Sequence, residues 1–234
     1  MLRKYIKKLV YRERASGEAY IRWLRQQGVG IGKNTCIVDV RNLSIDTTRP
    51  YLISIGDDVT FSDHVTILAH DYSWSVITRS YPGEIYPSSG TVSIGNNVFV
   101  GSHVTILQNV TIGNNVIIGA GSVVTKDIAD GMVVAGVPAK AVTSVEKLRE
   151  KRAGDAIPSL KLVLERYREV YGRDADEYAL REHLAFYQSA EEIRQQHPKY
   201  YEAYQLDRVS CDLRIAQGRE ELIRKVLDDA SSSA

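Results

Sequence analysis

The chain of 234 residues is 44% apolar and 25% charged, with a formal net charge of +1 at neutral pH. That balance permits a sizeable soluble core and excludes the strong overall field expected of a nucleic-acid binder. One or two domains fit this length, and no apolar run approaches the ~18 residues of a membrane-spanning helix. Cys36 and Cys211 lie far apart with no CxxC pattern. They predict a reducing compartment rather than a disulfide framework, and without a signal-peptide core the expected location is cytoplasmic.

Residues 2–27 read as helical. Leu2, Ile6, Leu9 and Val10 recur at helical spacing, as do Tyr20, Ile21 and Leu24. Arg3, Lys4, Lys7, Lys8, Arg12 and Arg14 make the segment basic. The favoured expectation is the wet face of a packed helix, and the alternative is peripheral contact with an anionic membrane.

From Ile31 a six-residue register begins. Ile31, Ile37 and Leu43 are six apart, and Ile55, Phe61 and Ile67 keep the same phase. Arg49 breaks it within IDTTRPY, where a bulge is expected. The register is lost after Ile67 and resumes at Ile94, which predicts an excursion loop over residues 69–92, rich in polar and aromatic side chains. Long loops in compact repeat proteins are usually functional.

Between Ile94 and Ala129 six consecutive hexads share one register. Each begins with an aliphatic residue: Ile94, Val100, Ile106, Ile112, Ile118 and Val124. The fifth position holds Val98, Val104, Val110, Val116, Ser122 or Ile128. Residues two apart on a strand share a face, so Val110 and Ile112 point the same way. Gly113, Asn114 and Asn115 then turn the chain, using residue types that tolerate positive φ. Strands six residues apart leave no room for intervening helices. Each unit is a short strand plus a corner, and only stacking buries its apolar face. Residues 130–142 are expected to close the coil. Residues 143–234 read as an α-helical extension, with helical patterns over 160–171 and 220–227 and a hinge at Gly154–Pro158. Tyr200, Tyr201 and Tyr204 suggest a docking surface there.

The stretch IGNNVFVGSHVTILQNVTIGNNVIIGAGSVVTKDI, together with AGVPAK, resembles the hexapeptide-repeat acyltransferases. The likeness is closest to the galactoside, maltose and polysaccharide O-acetyltransferases and covers about residues 29–142. It implies a left-handed parallel β-helix with three hexads per coil, so the fold expected is mainly β, with a helical segment at 1–28 before it. It also implies a homotrimer with active sites between subunits, acetyl-CoA as acyl donor and a small-molecule or saccharide acceptor. The acceptor expected is a sugar or polysaccharide-precursor hydroxyl. An amine, on an amino sugar or an antibiotic, is the alternative, and a non-catalytic scaffold is a third reading.

By the same resemblance His70, in VTILAHDYSW, is the general base. The chemistry needs such a group, because a neutral imidazole can take the proton of an alcohol as it attacks a thioester. Asp71 or Glu84 is the candidate to orient the ring, and Ser102 the candidate to stabilise the oxyanion. Phe99, Ser102, Ala120, Thr125, Lys126 and Lys140 match the family's coenzyme A positions. Trp often stands in the family at the place of Phe99, and Arg at that of Lys140. Both lysines offer point charges for phosphates. Asp39, Asn42 and Asp46 are candidates for the acceptor's hydroxyls, with Trp74 for stacking, although the chain departs from the family around Asp46–Pro50. His64 and His103 occupy corner positions and, with His70, raise a rival reading as the zinc ligands of a γ-class carbonic anhydrase. The spacing of that class is absent, so no metal is expected.

Overall fold

The computed structural model describes residues 10–198, 214 and 216–228. They fall into two compact units, residues 1–149 and residues 150–234.

The first unit is a coil of short parallel strands that stack into three faces. The first face carries Gly30–Ile31, Ile53–Ile55, Val92–Ile94 and Val110–Ile112. The second carries Cys36–Ile37, Thr60–Phe61, Val98–Val100, Val116–Ile118 and Met132–Ala135, closed by the antiparallel strand Lys140–Ser144. The third carries Ser44–Ile45, Thr66–Ile67, Thr105–Ile106 and Val123–Val124. Ile94 pairs with Ile112, eighteen residues on, and Val100 pairs with Ile118 at the same interval, so each coil takes three hexads.

Both ladders read from the sequence line the interior. Val100, Ile106 and Ile118 are 0% exposed, and Ser122, the one polar member, is equally buried. Ser122 offsets that burial by donating to the carbonyl of Gly119 at 2.6 Å and accepting from the Gly136 amide at 3.2 Å.

The corners work differently from the sequence reading. Positive φ falls on Asn34, Asp58, Asn97 and Asn115 at the first corner, on His64 and His103 at the second, and on Asn109 at the third. Gly113 is not among these residues. The glycines beside the asparagines are required by proximity instead. A Cβ added at Gly95 would meet the Gly113 carbonyl oxygen at 2.7 Å, and one at Gly56 would meet that of Gly95 at 2.6 Å. Gly32, Gly56, Gly95 and Gly113 form a column along which successive coils touch backbone to backbone.

The first coil also corrects the predicted register. Ile31 pairs with Ile55, Ile37 with Phe61 and Ile45 with Ile67. Leu43 therefore lies one place beyond the strand pairing, level with Val65 in the fifth-position ladder. Two residues are inserted between Ile37 and Ile45. Four more lie between Ile45 and Ile55, where Pro50–Leu52 forms a short 3-10 turn. Together they add six residues, so the phase looks unbroken although the coil holds three strands rather than four. The excursion leaves after Ala69 on a two-residue strand, His70–Asp71, pairs antiparallel with Ser88–Ser89, and carries a helix over Trp74–Ser80.

The α-helix expected over 2–27 is shorter in the described residues, running over Gly17–Gln27 after a 3-10 turn at Arg12–Ala15, and is capped by Ser16, whose side chain accepts from the Ala19 amide at 3.2 Å. Tyr20 and Leu24 pack into the coil's core. Arg14 is no wet-face residue. Its guanidinium donates to the carbonyl of Leu43 at 2.9 Å and lies 4.2 Å over the Tyr20 ring, tying the helix to the first coil. Residues 2–9, including the basic Arg3, Lys4, Lys7 and Lys8, lie outside the described residues.

A helix over Val145–Tyr171 covers the stretch Gly154–Pro158 where a hinge was expected. Pro158 removes the hydrogen bond to residue 154, four back, and crowds its carbonyl. That residue is a glycine with open space around it, so the helix absorbs the defect. Leu160 and Leu164 join Leu180, Leu184, Ile193, Leu222 and Ile223 in a separate core. The helix Ala190–Gln196 starts with a full capping box between Ser189 and Glu192. Tyr200, Tyr201, Tyr204 and Cys211 lie outside the described residues.

The glycine column yields a prediction. Gly95→Ala forces a methyl against the backbone of the next coil and is expected to cost about 1–3 kcal/mol, as overpacking does. A lowered midpoint in chemical denaturation checks this, and an unchanged midpoint refutes the close-approach account.

Candidate active site

Stacking places the chemistry-bearing side chains at the second and third corners. His70 follows the third face of the second coil, and Asp46 follows the third face of the first. Ile45 and Ile67 are paired in the ladder, so the two side chains meet across one coil step. Asp46 Oδ2 contacts His70 Nδ1 in a short hydrogen bond. Both side chains are well covered, at 11% exposure for His70 and 3% for Asp46. Thr48 Oγ1 donates to Asp46 Oδ1 at 2.7 Å and lies 3.2 Å from His70 Nδ1. The Ala69 amide donates to Asp46 Oδ2 at 3.2 Å. Burial alone would raise the carboxyl's pKa. The hydrogen bonds from Thr48, His70 and Ala69 outweigh it and hold Asp46 below the usual carboxylate range.

An ionised Asp46 accepts a proton-bearing Nδ1, which leaves Nε2 of a neutral His70 with its lone pair free. The ring packs edge-on against Tyr72, centroids 5.0 Å apart. The carboxylate in contact with His70 is Asp46, which the sequence reading named for the acceptor's hydroxyls, rather than Asp71 or Glu84. Asp71 instead accepts from the Ser73 amide at 2.8 Å and from Gln108 Nε2 at 3.1 Å. Glu84 is exposed on the excursion, and its described contact there is a backbone one, its carbonyl accepting from Thr78 Oγ1 at 2.8 Å.

Asp39 and Asn42 stand at the second corner of the first coil, not beside His70. Asn42 Nδ2 donates to Asp39 Oδ2 at 2.7 Å, and the Arg41 amide donates to Oδ1 at 3.0 Å. That backbone bond, then the one from Asn42, keeps the Asp39 carboxyl below its ordinary range. Ser102 lies at the same corner two coils up, and its hydroxyl donates to Asp63 Oδ1. That engagement argues against a free hydroxyl at Ser102. Ala120 follows at this corner in the fourth coil and is exposed. Phe99 projects outward from the second face, 43% exposed between the inward Val98 and Val100. Lys140 is exposed on the closing strand of that face. Thr125 and Lys126 are exposed at the third corner, two coil steps beyond His70. Trp74 is half-buried at the start of the excursion helix.

Two positioning residues were not found by sequence reasoning. Thr48 braces the Asp46–His70 pair. Gln108, at the third corner directly above the excursion, donates from Nε2 to Asp71 Oδ2 at 3.1 Å and to Ser88 Oγ at 2.7 Å. It clamps both strands of the excursion's stem. The available signal was its place, since a long amide follows Ile106-Leu107 where the corner above the excursion must fall.

A three-faced coil of hexapeptide repeats defines a class. The chain belongs to the bacterial hexapeptide-repeat transferases, and it is an acyltransferase. The family model described as bacterial transferase hexapeptide (six repeats) matches residues 91–126. Protein CapG of Staphylococcus aureus is 41% identical over 143 residues, covering 59% of this chain and 79% of that protein. Galactoside O-acetyltransferase of Escherichia coli (strain K12) is 41% identical over 104 residues, covering 44% of this chain and 50% of that enzyme. Among solved structures, a maltose O-acetyltransferase from Clostridium difficile 630 is 28% identical, covers 60% of this chain and 85% of its own, and gives a TM-score of 0.41.

The Asp46–His70 pair carries a prediction with a defined sign. A carboxyl held below its usual range stabilises the fold above the unfolded pKa, about 3.9, and that contribution is lost as pH falls through the folded value. Asp46→Asn is expected to be less stable than wild type at neutral pH, with the gap closing on acidification. Thermal melts of both proteins from pH 7 to pH 3 check this, and a constant gap refutes it.

Proposed function

We propose that the chain transfers an acetyl group from acetyl-CoA to a hydroxyl of a sugar or polysaccharide precursor, with His70 as general base. The observation that carries the reading is the buried, ionised Asp46 on Nδ1 of His70, which leaves Nε2 as a proton acceptor. The galactoside O-acetyltransferase relative supports a sugar hydroxyl as acceptor.

The acceptor oxygen attacks the thioester carbonyl carbon while Nε2 takes its proton. Asp46 offsets the charge that develops on the imidazolium. Collapse of the tetrahedral species breaks the carbon–sulfur bond, and the departing thiolate recovers the proton from His70. With its hydroxyl engaged by Asp63, Ser102 has its backbone amide as the group to offer the oxyanion. Lys126 and Lys140 face solvent as point charges for the phosphates of the donor, Phe99 offers an exposed aromatic surface, and Ala120 and Thr125 leave room beside them.

A homotrimer of left-handed coils belongs to the same reading. Its support is the split of the candidate residues between two corners of one chain. Asp39, Asn42, Ser102 and Ala120 stand at the second corner, and Asp46, His70, Thr125 and Lys126 at the third. A site between subunits can bring the second corner of one chain to the third corner of its neighbour. A cytoplasmic setting fits a coenzyme A-dependent enzyme; among the described residues no helix is long and apolar enough to cross a membrane.

Replacing His70 by Ala is expected to lower kcat roughly 10²–10⁴-fold, the usual contribution of a general base, while coenzyme A binding is retained. Labelled acetyl-CoA with a panel of hydroxyl and amino sugars measures both rate and product. Undiminished turnover of His70→Ala removes the base assignment, and preferential N-acetylation overturns the acceptor class. Asp46→Asn is expected to lose most of the same factor, because the amide presents an N–H to Nδ1 and turns the lone pair of the ring away from the acceptor.

A further inference from the structure

The second corner carries a cluster that the acyl-transfer reading does not use. His64 and His103 occupy the same corner position on successive coils, both with positive φ, 53° and 57°. Their rings stack with centroids 4.5 Å apart and planes 13° from parallel. Asp63 Oδ2 lies 3.1 Å from His64 Nδ1. Asp63, His64 and His103 each offer a ligand atom, and all of these atoms lie within 4.8 Å of one another. His70 is outside this group; its ring is held by Asp46 and Thr48 at the third corner.

The geometry points to a binding site for a divalent first-row transition metal, with zinc as its representative, held by the imidazoles of His64 and His103 and the carboxylate of Asp63. The donor set has the right chemistry. Neutral imidazole suits zinc, copper and nickel, and a carboxylate supplies the charge. Hard cations such as magnesium prefer all-oxygen sites with near-octahedral geometry, which two imidazoles do not supply.

The backbone has already brought the donors together. Equivalent positive-φ positions at the first corner are filled by Asn34, Asp58, Asn97 and Asn115, so histidine is not what the turn itself requires. Successive coils are one strand spacing apart, about 4.8 Å, which sets the two imidazole carriers one above the other. The His64 side chain is 48% exposed and that of Asp63 40% exposed, and His103 is exposed as well, so a ring can turn out of the stack into solvent to aim its lone pair at a shared ion. The Ser102 hydroxyl on the other oxygen of Asp63 steadies the carboxylate. Above His103 the corner continues as Gly121, around which there is open space, leaving room for water to complete the coordination. The site differs from the carbonic-anhydrase arrangement weighed from the sequence, because His70 takes no part in it.

The test uses the full chain without an affinity tag, treated with chelator and titrated with zinc chloride by calorimetry, with magnesium chloride as the contrast. One zinc ion per chain is expected, and no magnesium. His64→Asn and His103→Asn keep a residue that fits the corner, since asparagine fills the equivalent turns. Each is expected to weaken zinc binding about tenfold or more, and the pair to abolish it. Mass spectrometry after imidazole acylation gives a second readout that needs no variant, with zinc lowering the labelling of His64 and His103 relative to the metal-free chain. Zinc uptake unchanged in the double variant, no uptake at millimolar zinc, or equal labelling with and without the ion overturns the proposal.

Discussion

Close contact between the backbones of successive coils is the constraint on which the first unit rests. Where Gly32, Gly56, Gly95 and Gly113 line up, one coil lies against the next with no space for a methyl group. That contact lets the parallel hydrogen bonds form at a single spacing on all three faces, which aligns the aliphatic positions into continuous interior ladders. The hydrophobic term then follows from alignment, because a short strand buries its apolar residues only when equivalent residues sit above and below it. Asparagines reinforce the same corner, as where Asn97 Nδ2 donates to Asn115 Oδ1 at 2.8 Å.

The parallel strands of the faces keep one register, and the insertions are confined to corners. The two-residue and four-residue insertions of the first coil and the long excursion of the second all fall between strands. The excursion and the segment after Ile45 emerge from the same corner, one coil apart. A residue carried on one can therefore meet a residue carried on the other, although they are 24 apart in sequence. The rigid ladder supplies the spacing, and the two inserted segments supply the side chains.

This explains which features were legible in the sequence. The hexads from Ile94 to Ile128 were plain, because uninterrupted corners of equal length print the coil directly into the residue pattern. The first coil was misleading because its insertions of two and four sum to one full hexad, so Leu43 passed for a ladder residue that Ile45 in fact supplies. His70 was singled out through its motif. Its contact with Asp46 was not legible, since the pairing is made by stacking and leaves no local spacing to read. The same holds for the clamp that Gln108 places on Asp71 and Ser88. Glycine was credited with conformational freedom where the limiting factor is room, a distinction that appears only once neighbouring coils are present. In the second unit Gly154 and Pro158 signalled a break, but the flexible residue stands where the proline's demand falls, and the helix continues.

Asp46 and Thr48 stand on the inserted segment after Ile45, and both contact the ring of His70 across one coil step. Remodelling that segment thus cannot leave the setting of the imidazole untouched. The length of the insertion and the orientation of the ring share one short piece of chain, and a change in one is inherited by the other.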